Sequence, residues 1–270
     1  MKRQTQIAGL TLSVFALIAA SHWLGGWGNA WSLADGPRFA PPSAEHWLGT
    51  NSIGQDIAAR AAAGAALAFE TGLLVALAAA ALGGLLGLVA GYYHQRAPDL
   101  IVGWLLAIFD AVPFYLLVAA FAYAARDAAW AIPVALCLAF WTPTARLVRA
   151  ETLKLRNTGY VLAARTLGIP PVQILLRELL PNLMYLLLIQ AAITFVAAVK
   201  TEVVLSFLGL GDASRVSWGQ MIAESTQELL TGHFANFVVA SGCLIALVIS
   251  LNLIADALQA HFDPQRPGSL

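Results

Sequence analysis

Charged side chains are scarce in this sequence: 15 Lys and Arg and 15 Asp and Glu in 270 residues, or 11%. A soluble domain carries roughly 25%. The shortage excludes a soluble globule, because 59% hydrophobic residues with so little polar cover cannot be hidden from water. A basic excess is missing as well. The formal net charge is zero, which argues against nucleic acid as a partner, since neutralising phosphates needs surplus cations. Cysteine is nearly absent. Cys137 and Cys243 stand in apolar runs with no second ligand nearby, so neither a disulfide framework nor a zinc site is indicated. The histidines His22, His46, His94, His233 and His261 form no i, i+4 ligand pair, and no metal site within this chain is expected. A phosphate-binding loop requires Gly-x4-Gly-Lys-Ser/Thr. The only Lys followed by Ser or Thr is Lys200, and Val199 precedes it. The phosphate-binding loop of an ATPase is therefore not found in this sequence. No catalytic residues are assigned.

What the sequence has in abundance is long apolar runs. The stretches 4–34, 71–95, 128–145, 179–199 and 229–255 contain no charged residue, and 100–125 contains only Asp110. A spanning helix needs about 20 apolar residues. Hydropathy places spans near 7–24, 67–91, 101–123, 129–148, 183–205 and 235–257. The expectation is an all-α membrane protein with six transmembrane helices. The runs are continuous rather than alternating, which excludes a β-barrel.

Orientation follows from the basic residues. With the N-terminus inside, Lys2, Arg3, Arg96, Arg146, Arg149, Lys154, Arg156, Arg165, Arg177 and Arg266 fall on the cytoplasmic side. Only Arg38, Arg60, Arg126, Lys200 and Arg215 fall outside or within spans. This asymmetry predicts that both termini are cytoplasmic. Lys2 and Arg3 before an apolar run also fit a signal peptide. The run reaches Leu24 without a clean small-x-small site, so an uncleaved anchor over 1–24 is preferred. The second span is filled with small residues, among them Ala76, Ala79, Gly83, Gly84, Gly87, Ala90 and Gly91. Such spacing lets helices approach closely and predicts a position inside the bundle; an alanine-rich helix facing lipid is the plainer alternative.

Two connections are longer than bundles usually need. The outside segment 25–66 holds Trp27, Trp31 and Trp47, which suit an interfacial aromatic belt, and ends in "LGTNSIGQDIAARAAAGA". The cytoplasmic segment 149–182 reads "RAETLKLRNTGYVLAARTLGIPPVQILLRELLPN". Asn157 or Thr158 can cap a helix ending near Leu167, Gly168 suits the left-handed position after it, and Pro170-Pro171 begin the next. Pro181 marks entry into the following span. Tyr160, Ala163, Ala164 and Leu167 share one helical face. Such a face suits a protein partner or, alternatively, the headgroup region.

That segment resembles the "EAA" loop of binding-protein-dependent ABC importer permeases, through Leu162-Ala163-Ala164, Gly168 and Leu180-Pro181. Its surroundings are similar to the peptide/nickel subfamily. "LGTNSIGQDIAAR", "SFLGLGDASRVSWGQMIAE" and "NLIADALQAHFDPQRP" resemble further subfamily segments, and the matches span 48–267 in order. The resemblance implies a type I importer transmembrane domain over 67–257, with a cytoplasmic tail at 258–270. It implies a bacterial inner membrane protein that forms half of a pathway with a second homologous permease. Two ABC ATPase subunits would drive transport and a periplasmic or lipoprotein binding protein would deliver cargo, peptides first and nickel or a metal chelate second. The ATPase-coupling residues carried over are Tyr160, Ala163, Ala164, Leu167, Gly168 and Pro181. Departures occur at Leu162, where the family has Glu, at Glu178, at Asn51 and Gln55 for Asp and Arg, and at Trp104 and Ala107.

Ionisable residues within spans are functional candidates by default. Asp110, Lys200 and Glu202 are the candidates for the pathway, with Asp110 and Lys200 a candidate cross-helix pair. Glu70 and Asp256 lie near span ends and are expected to reach the headgroups. Two rival readings remain open. Gly209-Leu210-Gly211-Asp212 spells the G-x-G-D string of an intramembrane aspartyl protease, with Asp110 as the second carboxylate. A stand-alone secondary transporter would show inverted repeats, and the two halves do not look alike.

Overall fold

The computed structural model describes residues 2–124, 128, 130–212 and 214–262. Arg126, Arg266, Ala129 at the start of the expected fourth span, and the tail beyond 262 lie outside the described residues. Within them the architecture is all-α, and the one β-bridge joins Thr50 to Asp56. The helices are α1 (Lys2–Trp23), α2 (Ile57–Tyr92), α3 (Ala97–Asp110), α4 (Phe114–Ala124) and α5 (Ala131–Leu155). They continue with α6 (Gly159–Thr166), the short α7 (Pro171–Gln173), α8 (Leu180–Phe207), α9 (Trp218–Leu230) and α10 (Ala235–Phe262). A π-helical stretch, Ile174–Leu179, joins α7 to α8.

Five segments are long and apolar enough to span a bilayer: α1, α2, α5, the run Pro171–Phe207, and α10. The expected third span is not one straight helix. It is the pair α3 and α4, bent by 84°, because Pro113 supplies no N–H and its ring disfavours helical geometry at Val112. That pair must nonetheless return the chain across the bundle. α2 and α5 run parallel, as successive glycines of α2 meet successive residues of α5. A Cβ on Gly83 would lie 2.5 Å from the Trp141 carbonyl, and Gly87 and Gly91 are as tight against Ala145 and Thr152. Two parallel neighbours need a full recrossing between them. The small-residue face of α2 is therefore a helix–helix seam.

Three boundaries move. α2 begins at Ile57, ten residues before the expected span, because the Asp56 carboxylate caps it by accepting the Ala59 N–H at 2.8 Å. Hydropathy saw Arg60 and stopped. At 1.5 Å per residue, α2 is about 54 Å long, well beyond a hydrocarbon core of about 30 Å. α5 runs to Leu155 rather than ending near 148, so the loop expected over 149–182 begins with two turns of helix. Inside α5, Pro143 cannot donate to the Ala139 carbonyl, and the Thr142 hydroxyl takes up that acceptor at 3.4 Å. Finally, Pro181 lies in the first turn of α8 as expected, but the chain does not break there. The π stretch absorbs its missing N–H, with the Leu180 N–H reaching back to the Leu175 carbonyl, and one continuous rod results.

The core nearest the loop end of α2 joins α1, α2, α8, α9 and α10 around Trp218. Trp218 packs edge-on to Phe15 at 5.7 Å and donates its indole N–H to the Ala61 carbonyl at 3.0 Å. At the opposite end of α2, Leu88 and Tyr92 meet Val148, Val161, Ala164, Ile174 and Leu179. That cluster fixes α6 to the bundle.

Candidate functional site

α6 stands beside the bundle end on two turns of chain. Thr158 is its N-cap residue in extended geometry. Its C-terminus closes as the sequence predicts. Gly168 has φ +73°, and the N–H groups of Gly168 and Ile169 bond to the carbonyls of Arg165 and Ala164 at 3.0 and 3.1 Å. This is the double bond pattern of a left-handed cap. It turns the chain sharply into Pro170 and Pro171.

The face shared by Tyr160, Ala163, Ala164 and Leu167 is split by packing. Ala164 is 5% exposed and Val161 fully buried, both within the cluster beneath α6. Ala164 is therefore an anchor to this chain's own core, with no surface free for a partner. Tyr160, Ala163 and Leu167 remain on the outer side, and Leu167 is 79% exposed. Leu162, which stands where the resemblance expects a carboxylate, is exposed beside them. The outer side of α6 is thus an apolar patch on a rigidly held element. Pro181 lies on the exposed side of α8, where Asn182 donates to the Tyr160 hydroxyl at 3.4 Å.

The intramembrane charges separate. Asp110 does not pair with Lys200. Its partner is Arg146, which reaches both carboxylate oxygens from α5. Lys200 is exposed on α8, whereas Glu202, two residues on, is buried, as residues two apart on a helix must diverge. Glu202 accepts the Ser206 hydroxyl at 2.6 Å and borders a small cavity with Thr71, Asp212 and Arg215. Glu70 is half-exposed near the loop end of α2 and has a protein partner. It holds Arg215 through both guanidinium nitrogens, and this hydrogen-bonded carboxylate raises the Arg215 pKa above its usual range. Asp212 accepts from the Ser214 backbone and hydroxyl. With Asp110 on Arg146 and Asp212 on Ser214, the two aspartates are engaged separately, and no hydrogen bond among the described residues joins them.

A family model described as "binding-protein-dependent transport system inner membrane component" matches residues 83–266. The dipeptide transport system permease protein of Bacillus subtilis is 34% identical over 226 residues, covering 83% of this chain and 70% of that one. A putative peptide transport system permease protein of Brucella suis is 33% identical over 270 residues, covering 98% and 89%. The oligopeptide transport system permease protein of B. subtilis is 31% identical over 226 residues, covering 83% and 73%. The chain belongs to this permease family. It is a multi-pass membrane transport subunit and not an enzyme.

Two polar latches of this permease escaped the sequence reading. At the loop end of α2, Asn51 is buried and its side-chain oxygen accepts the Ile53 and Gln55 N–H groups at 3.1 and 2.8 Å. Gln55 in turn takes Arg60, which is 2% exposed and pairs with Glu224 on α9. Glu228 closes the latch by accepting the Ser52 N–H at 2.9 Å. Asn51 and Gln55, noted as departures from the subfamily, thus form a neutral version of a polar tie. At the α6 end, Asp99 is 5% exposed and receives Arg149 through Nε and Nη2 at 2.6 and 3.0 Å. His94 and the Gln95 N–H complete its shell at 3.0 and 2.9 Å. The only signal for these pairs was charge at span ends, and charge alone does not name partners across 50 or 164 residues.

Proposed function

We propose that this permease is one of two homologous transmembrane subunits of an ATP-driven importer in the bacterial inner membrane, with both termini cytoplasmic. The observation that carries the reading is α6: a short helix anchored by Val161 and Ala164 while Tyr160, Ala163 and Leu167 offer an apolar outer side. One of two ABC ATPase subunits, which would bind ATP and Mg, docks there. Gly168 and Pro181 shape the surrounding loop rather than touch the partner. Closure of the ATPase pair moves α6, and the cluster beneath it transmits that motion to α2, α5 and α8, alternating access between the two sides. A periplasmic or lipoprotein binding protein delivers the cargo. The relatives' names favour peptides, with nickel or a metal chelate second.

Affinity purification of the tagged chain from mild detergent, followed by mass spectrometry, should recover a second permease and ATPase subunits. Ala163→Arg and Leu167→Asp should keep the membrane level of the chain while the ATPase no longer co-purifies and uptake of labelled peptide stops. Normal uptake in both variants would remove the docking assignment. A lone chain that still transports would point to a stand-alone secondary transporter. Asp110 and Asp212 give a protease no paired carboxylates.

A further inference from the structure

A cleft of about 220 Å³ opens between the end of α2 and α6, and three arginines line it: Arg96, Arg156 and Arg165. Tyr92, Tyr93, His94 and Pro171 form the rest of the wall, and none of its lining residues is acidic. Asp99, which bonds the lining residue His94, is also engaged by Arg149. Arg156 uses one nitrogen to donate to the Tyr92 and Gly91 carbonyls at 3.1 and 3.4 Å, which satisfies the open end of α2. Arg165 lies over the Tyr92 ring, 4.7 Å from its centre. The Nε atoms of both Arg156 and Arg165 are buried with no hydrogen-bond partner among the described residues. Those two atoms face the protein rather than the cleft, but none of the three lining guanidinium groups has a carboxylate partner among the described residues, so the charge along the cleft is left without a counterion.

We infer that this cleft binds a phosphate group, with an anionic phospholipid headgroup as its source. Arginine guanidinium groups match phosphate oxygens in geometry and charge. The cavity is smaller than the roughly 300–1,000 Å³ of a drug-sized ligand site, which suits a headgroup. The cleft sits where spanning helices end, the level at which basic pockets between helices take anionic lipid. Since Arg165 belongs to α6 and Arg96 follows α2, an occupant bridges the two elements. The inference does not depend on α6 docking an ATPase.

The test is native mass spectrometry of the full chain in detergent, offered cardiolipin and phosphatidylcholine together, with inorganic phosphate titrated in a separate thermal-shift series. The wild-type chain should retain cardiolipin over phosphatidylcholine, and Arg96→Gln should reduce that preference about fivefold, the effect of one basic side chain near an anionic lipid. Arg96 is exposed and bonded to no side chain among the described residues, so this variant should fold; Arg165→Lys should retain part of the preference. Arg177→Gln, an exposed cation outside the cleft, should change nothing. Stabilisation by inorganic phosphate with the same arginine dependence, without lipid preference, would keep the site and replace its source. Equal losses in Arg96→Gln and Arg177→Gln would overturn the site. So would a cross-link from position 96 to an ATPase carboxylate in the assembled importer, accompanied by loss of cardiolipin.

Discussion

Gly83 and Asp99 show how single residues hold this permease together. Replacing glycine by alanine inside a helix ordinarily stabilises it by about 1 kcal/mol. At Gly83 the sign should reverse. The new Cβ would lie 2.5 Å from the Trp141 carbonyl and 2.8 Å from Thr144 Cβ, and backbone cannot swing aside. Overpacking of this kind costs roughly 1–3 kcal/mol. Gly83→Ala should therefore lower the melting temperature in detergent, while Gly103→Ala, with nothing within 4 Å, should not; equal behaviour would mean α2 and α5 do not share this seam. Arg149→Lys should also destabilise, since an ammonium cannot make both bonds to Asp99; a hydrogen bond to a charged group contributes about 1.5–3 kcal/mol. Thermal unfolding of Arg149→Lys beside Arg3→Lys measures it. The glycine seam was legible as a spacing of small residues. The Asp99–Arg149 pair was not, because nothing in a linear sequence reports which of several arginines a carboxylate meets.

Among the elements, α6 divides what sequence periodicity treats as one. Spacing of three and four placed Ala163 and Ala164 on the same face, and their separation by about 100° of helix turn decides which is free. Ala164→Arg should reduce the amount of folded chain, since it drives a charge into the cluster around Leu88 and Val161. Ala163→Arg should leave that amount unchanged. Comparing detergent-extracted monodisperse yield for the two variants tests the split; similar yields would mean that α6 is loosely held. Gly168→Pro removes the N–H that bonds to Arg165 and forbids φ +73°, so α6 should lose its cap. The cap and the two prolines after it were readable because their chemistry is local. The π-helical stretch was not. Proline signals a break, and whether the chain stops or widens by one residue per turn depends on the packing of Ile174, Leu175 and Leu179, all buried. The same holds for α2, where a cap at Asp56 extends the helix past its apolar part.

At the scale of the whole molecule, the two ends of the bundle differ in kind. Among the described residues, the α6 end carries Arg96, Arg156, Arg165 and Arg177 without carboxylate partners, while Arg146, Arg149 and Lys154 are paired. At the opposite end, Arg60 and Arg215 are both paired and Arg38 is free, while Asp35, Glu45, Asp56 and Glu228 have no arginine or lysine partner among the described residues. An excess of free cations at one end is what retains a loop on the cytoplasmic side, so the α6 end should be cytoplasmic and the end bearing residues 33–56 external. Parity agrees, since α2 and α5 run parallel with the bent pair recrossing between them. Cysteine accessibility tests this directly. With Cys137 and Cys243 replaced by alanine, the thiol of Ala44→Cys should react with a membrane-impermeant maleimide on intact spheroplasts. That of Thr166→Cys should react only after the membrane is opened. Ala44 and Thr166 are both exposed, so burial cannot mimic protection. The reverse pattern would invert the molecule and move α6 away from any cytoplasmic ATPase. Labelling of Thr166→Cys and Ala44→Cys from the same side would instead deny the bent α3–α4 pair its crossing, because only an odd number of spans separates an external loop at Ala44 from α6.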